Sequence, residues 1–164
     1  MGKVALKISA LVLAASTLFC ACSETKKVEL GSVYSCKLEI KTPENSYSGS
    51  LKRDEVKWTF SYSSPDEING LVIVYEGDKY NVKMGDIEFT DDRDALPDSA
   101  ISTMVTSALD SATLSADVKY TTKKDTVVAK GSAGGCAYTI TFKDDIPQTM
   151  TVGEVEVTFK DFKS

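Results

Sequence analysis

The chain has 164 residues, 42% hydrophobic and 26% charged, with 24 acidic and 19 basic side chains and a net charge of -5. It contains no histidine, which excludes histidine triads, imidazole metal sites and imidazole acid–base catalysis. The acidic balance is wrong for neutralising nucleic-acid phosphates, so no nucleic-acid partner is expected, and the length and composition suit one globular domain.

Residues 1–21 have the form of an export signal. Lys3 and Lys7 make a short positive region, and an apolar run follows from Ile8 to Phe19. That run is too short to span a bilayer as a mature helix, which needs ~20 apolar residues. It ends in Leu18-Phe19-Cys20-Ala21-Cys22-Ser23. This segment resembles a lipobox, the site at which bacterial lipoprotein precursors are diacylated and cleaved before a cysteine. Cys22 is the lipid-attachment residue, because small Ala21 precedes it whereas bulky Phe19 precedes Cys20. The resemblance implies an exported protein held on the extracytoplasmic side of a cell membrane by the lipid on Cys22. Two acyl chains give stable anchoring where one is marginal. Residues 22–27 then form a polar tether. Cleavage removes Lys3 and Lys7 but no carboxylate, which leaves an acidic body that anionic headgroups repel. An ordinary secretory signal, with Cys22 as a plain thiol, is the competing reading.

Residues 28–164 read as a single β domain. Leu30, Tyr34, Cys36, Leu38 and Ile40 share one face against Lys37, Glu39 and Lys41. Val56, Trp58, Phe60 and Tyr62 alternate with Lys57, Thr59 and Ser61. Leu71 to Tyr75 is a short apolar run. Tyr80, Val82 and Met84 alternate with polar residues, and Ile87 and Phe89 flank Glu88. Period-two alternation marks strands with one dry face and one wet face. Gly77 in Glu76-Gly77-Asp78-Lys79 supplies the positive φ of a tight hairpin, and Gly85-Asp86 marks another turn.

One segment changes period. Ala100, Ile101, Met104, Val105, Ala108, Leu109 and Ala112 fall on one helical face, opposite Ser102, Thr103, Ser107, Asp110 and Ser111. Asp98 or Ser99 is the expected cap. Strands then resume. Leu114, Ala116, Val118 and Tyr120 alternate, and Lys123-Lys124 turns the chain toward Thr126 to Lys130. Gly134-Gly135 leads into Cys136, Tyr138, Ile140 and Phe142. A final hairpin turns at Gly153. The expected fold is mainly β: about ten or eleven antiparallel strands in a curved half-barrel sheet, with one amphipathic helix over the concave face. One helix cannot cover so many strands, and a curled sheet with an apolar concave face often encloses a cavity.

Gly70-Leu71-Val72-Ile73-Val74-Tyr75-Glu76-Gly77-Asp78-Lys79, after the Ser64-Pro65 loop, resembles the central hairpin of the LolA/LolB/LppX-like lipoprotein-carrier superfamily. The resemblance implies a half-barrel that holds a lipid or acyl chain. With one helix where members have several, it implies a shallower, more open cavity, and with an anchor it implies an acceptor rather than a shuttle.

The residues expected to line an apolar site are Trp58, Phe60, Tyr62, Ile73, Tyr80, Val82 and Met84 from the strands, with Ile101, Met104, Val105 and Leu109 from the helix. The same stripe equally describes an ordinary core. Cys36 and Cys136 sit on apolar faces. Export permits a disulfide between them, and two small buried hydrophobes are the alternative. Asp91-Asp92-Arg93-Asp94 lacks calcium-loop spacing and reads as a solvated loop. No serine sits in a nucleophile elbow and no phosphate loop occurs, so neither an enzyme nor a cofactor is expected. The rival function is an anchored envelope β domain without ligand, acting through protein partners that the sequence does not name.

Overall fold

The computed structural model describes residues 27–164. The export segment 1–21, the lipid-attachment residue Cys22 and the tether as far as residue 26 lie outside the described residues. The elements are β1 (Val33–Lys41), β2 (Ser46–Asp54), β3 (Lys57–Ser64), β4 (Val72–Glu76), β5 (Lys79–Met84), β6 (Ile87–Asp92), α1 (Ile101–Leu114), β7 (Lys119–Lys123), β8 (Thr126–Ala133), β9 (Cys136–Lys143), β10 (Ile146–Val152) and β11 (Val155–Lys163). The eleven strands form one sheet in the order β6-β5-β4-β3-β2-β1-β11-β10-β9-β8-β7. Every neighbouring pair is antiparallel. Two local meanders, β1–β6 and β7–β11, are joined through the single β1–β11 ladder. The order is linear, so the sheet is not closed, and among the described residues β6 and β7 are its free edges.

Alternation sets the faces. In β1, Tyr34, Cys36, Leu38 and Ile40 are buried while Val33, Lys37, Glu39 and Lys41 are exposed. Register carries this across the sheet. Ile40, Val157, Met150, Ile140 and Ala129 lie opposite one another in successive strands, and all are buried. The helix makes side-chain hydrogen bonds to β3 and β4 on one side and to β7 and β9 on the other. The sheet therefore curls around α1 as a half-barrel, and buried residues of both meanders and the helix form one cluster.

Several local readings shift. β2 was not foreseen: its inward positions beside β1 and β3 include Gly49 and Leu51, too little apolar content for a strand signal. At Gly49 the ladder to β3 shifts register, and a Cβ there would lie 2.2 Å from the Ser61 carbonyl oxygen, so only glycine fits. Val56 is 78% exposed; it sits in the β2–β3 turn after Glu55 (φ 56°) and not on the Trp58 face. The helix starts at Ile101, later than expected. Ala100 is its N-cap, with no side-chain cap from Asp98 or Ser99. At the other end the helix continues to Leu114, and the next strand begins only at Lys119.

Cys36 and Cys136 are free thiols. They lie on β1 and β9, three ladder steps apart in the strand order, which at 4.7–4.9 Å per step is about 14 Å. The register also sets them at opposite ends of the sheet. Cys36 is near the β11 C-terminus, through Ser35–Lys163, whereas Tyr138 is level with Val152 at the β11 N-terminal end. A disulfide needs Cα atoms within about 7 Å, so the bridge considered from sequence is not made.

Candidate functional site

The concave face has a covered part and an open part. Over β8, and less extensively β9 and β10, the helix packs directly on the sheet, burying Val105, Ala108, Leu109 and Ala112 completely. Ala108 and Ala112 let the backbone approach. Of the polar flank expected to face water, Ser102 and Thr103 are enclosed, and Thr106 beside them is buried as well. Their hydroxyls are satisfied. Tyr75 Oη lies 2.7 Å from Ser102 Oγ and 3.1 Å from Thr103 Oγ1, and Thr106 Oγ1 donates to the Ser102 carbonyl at 2.9 Å. Tyr138 Oη donates to Ser111 Oγ at 3.1 Å, and Tyr120 Oη to the Ala112 carbonyl at 2.5 Å. Gly131 makes room for Tyr138, whose hydroxyl would sit 2.5 Å from a Cβ there.

Asp110, also read as solvent-facing, is the hub of a polar cluster. Arg53 Nη1 donates to its Oδ1 at 2.7 Å and Trp58 Nε1 to its Oδ2 at 3.0 Å. The Arg53 guanidinium stacks over the Trp58 ring at 4.8 Å, and Tyr34 meets Trp58 edge-on at 5.8 Å. Burial pushes the Tyr34 hydroxyl pKa upward, with the Arg53 charge opposing. No sequence signal marked this group, because Arg53 and Asp110 are 57 residues apart.

The open part lies toward β6. Leu51, Phe60, Ile73, Val82 and Phe89 face one another across β2 to β6. Their burial falls in that order, from complete at Leu51 and Phe60 to 48% exposed at Phe89. One row further, Met84 is 38% and its neighbour Ile87 71% exposed. Leu71 and Val82 are half-buried against the core. Tyr80 meets Phe89 edge-on at 6.0 Å, which holds the ring at the margin of the shelf.

The residues expected to line a ligand site therefore divide. Trp58, Phe60, Tyr62, Ile73, Tyr80, Met104, Val105 and Leu109 are packed in the core, and Ile101 is half-buried beside it. Val82 and Met84 belong to the open shelf, together with Leu71, Ile87 and Phe89, which sequence reasoning did not single out as lining. Their signal was present in the alternation of Ile87 and Phe89 about Glu88, but their exposure depends on which parts of the sheet the helix covers.

Surface recesses among the described residues lie elsewhere. One of about 490 Å³ is lined by Ser35, Cys36, Lys37, Ser50, Asp161, Phe162 and Lys163. Another of about 400 Å³ runs between Ser111, Ser115 and Lys130. The third, about 630 Å³, is lined by Asp78, Asp91, Asp92, Arg93, Asp94 and Ala95. Among the described residues no three carboxylate or thiol groups converge on a metal-binding position. No helix among them is long and apolar enough to cross a membrane.

No family model matches the sequence, and no curated protein matches it. The structure is similar to that of an uncharacterized conserved protein from Thermus thermophilus, with a TM-score of 0.54 and 10% identity, covering 82% of this chain and 79% of that one. It is also matched with a LolA superfamily protein from Nitrosomonas europaea, at a TM-score of 0.46 and 9% identity over 85% of this chain and 89% of that one. At these identities the likeness is one of fold.

Proposed function

We propose that this chain is an exported bacterial envelope lipoprotein, anchored through Cys22, that holds an apolar ligand such as an acyl chain on the open end of its half-barrel. The observation that carries the reading is the shelf itself: Met84, Ile87 and Phe89 are exposed on the concave face and continuous with half-buried Leu71 and Val82. Isolated exposed apolar residues are ordinary, but contiguous apolar surface marks a binding site. Sequestration needs no chemistry. Covering the shelf contributes about 25 cal/mol per Å² removed from water, and the absence of histidine fits a role in holding a ligand rather than converting it. The lipobox-like segment supports the anchor and the extracytoplasmic location.

Native mass spectrometry of the gently purified chain, followed by solvent extraction, tests the reading. A discrete adduct that extracts as lipid is expected. A fluorescent fatty acid should bind the wild type and bind M84D/I87D at least about tenfold more weakly, because both changes place carboxylates under the chain. An apo mass together with no uptake of the fluorescent probe would refute ligand binding and favour the anchored interaction domain.

A further inference from the structure

The two free edges of the sheet carry opposite charge. β6 contributes Glu88, Asp91 and Asp92 and no base; β7 contributes Lys119 and Lys123 and no acid. Every residue of β6 is exposed, and β7 is exposed except at half-buried Tyr120. Eleven strands in an all-antiparallel ladder make the first and last run in the same direction. A copy translated along the sheet therefore presents its β7 parallel to β6 of the next copy, with concave faces on the same side.

Laid in parallel, the two strands match at successive positions. On the convex face Glu88 meets Lys119, Thr90 meets Thr121 and Asp92 meets Lys123. On the concave face Ile87 meets Val118, the residue before β7, and Phe89 meets Tyr120. The faces follow from the ladders. Val82–Phe89 and Tyr120–Ala129 are inward pairs, whereas Lys83–Glu88 and Lys119–Lys130 are outward pairs. Within the chain Glu88 has Lys83 at 3.8 Å and Asp92 pairs with Lys79, both exposed pairs of little strength. Lys119 and Lys123 are in no ion pair among the described residues.

We propose that copies of this chain associate head to tail, β6 of one pairing in parallel with β7 of the next, so that one sheet continues through successive copies. Open strand edges template such pairing. The sign of each edge selects it: β6 against β6, or β7 against β7, would set like charges opposite each other, whereas β6 against β7 sets opposite charges opposite. The contact is heterologous, so it generates a ring or an open filament rather than a closed dimer. Pairing covers Ile87 and Phe89, the most exposed residues of the shelf.

The test uses charge exchange on the convex face, away from the ligand shelf. The full chain, in mild detergent, is followed by sedimentation velocity over a concentration series. The expected result is concentration-dependent association that weakens at high salt. E88K/D92K has two basic edges and K119E/K123E two acidic edges. Each alone should lose about tenfold or more in association, while an equimolar mixture should regain it, because each variant then supplies the other's complement. Far-ultraviolet circular dichroism and Trp58 fluorescence show that both variants are folded, and fatty-acid binding at least as tight as that of the wild type shows that the shelf, which pairing would partly cover, is intact. A chain monomeric at every concentration overturns the proposal. So does assembly that survives either exchange, or a mixture of folded variants that stays monomeric.

Discussion

Leu109→Ala asks whether α1 is part of the core or a loosely docked cover. Leu109 is completely buried in the third turn of the helix, with Val105, Ala108 and Ala112 equally buried around it. The change removes three carbon atoms from a packed site bordered by sheet on several sides, so the neighbours cannot collapse freely. Large-to-small changes at such sites cost about 2–5 kcal/mol, and this enclosed position should fall near ~3 kcal/mol. With a urea m-value of about 2 kcal/mol/M for a domain of this size, the midpoint should drop by ~1.5 M. The chain has one tryptophan, Trp58, whose indole nitrogen donates to Asp110 of the helix. Its fluorescence therefore reports helix docking directly, and circular dichroism reports the sheet. Both probes should move together in one shifted transition. A cost below about 1 kcal/mol, or a tryptophan transition that precedes loss of the sheet, would refute the reasoning.

Asp110→Ala strips Trp58 of its acceptor and Arg53 of its carboxylate partner in a partly buried setting. It should cost about 1–3 kcal/mol in denaturant melts and change the Trp58 emission. Gly49→Ala drives a methyl group into the Ser61 carbonyl and should destabilise by about 1–3 kcal/mol, whereas Gly31→Ala, whose Cβ would meet only the Val33 carbonyl oxygen at an ordinary 3.9 Å, should stay within about 0.5 kcal/mol in the same melts. Burial pushes the Cys36 thiol from 9.0 up to about 12. The folded state thus holds its proton where the unfolded chain releases it, so that contribution to stability is complete below pH 9 and is lost as pH rises toward 12. Tyr34 and Tyr62, raised by burial from 10.0, act in the same direction. Melting temperature should fall steeply above pH 9, less so in Cys36→Ala. At pH 8 an alkylating reagent, mapped by peptide mass, should label Cys136 well before Cys36.

Most of the strands were legible because burial on one face imposes period two, and Tyr34-Cys36-Leu38-Ile40 or Tyr138-Ile140-Phe142 can satisfy it only as strands. The helix was legible for the complementary reason: the apolar positions from Ile101 to Ala112 recur every third or fourth residue. The hairpins at Gly77, Gly85, Gly134-Gly135 and Gly153 were marked by residues that tolerate positive φ, and all six of the turn glycines at 70, 77, 85, 134, 135 and 153 adopt it. These signals are local, and one sequence contains them. β2 escaped because its strand character comes from ladders on both sides and not from its own side chains.

Position across the sheet is a different kind of information. The β1–β11 ladder joins segments more than a hundred residues apart, and nothing in either strand names the other. Once the sheet curls, it surrounds α1 and buries Ser102, Thr103 and Thr106, which an isolated amphipathic helix would leave in water. The same curl packs Trp58, Phe60 and Tyr80 into the core, yet leaves Met84, Ile87 and Phe89 exposed. That these residues share an apolar face can be read along the chain, because alternation is a property of sequence neighbours. Whether that face is filled or open was decided only by tertiary structure, because a side chain's exposure depends on which distant element lies over it.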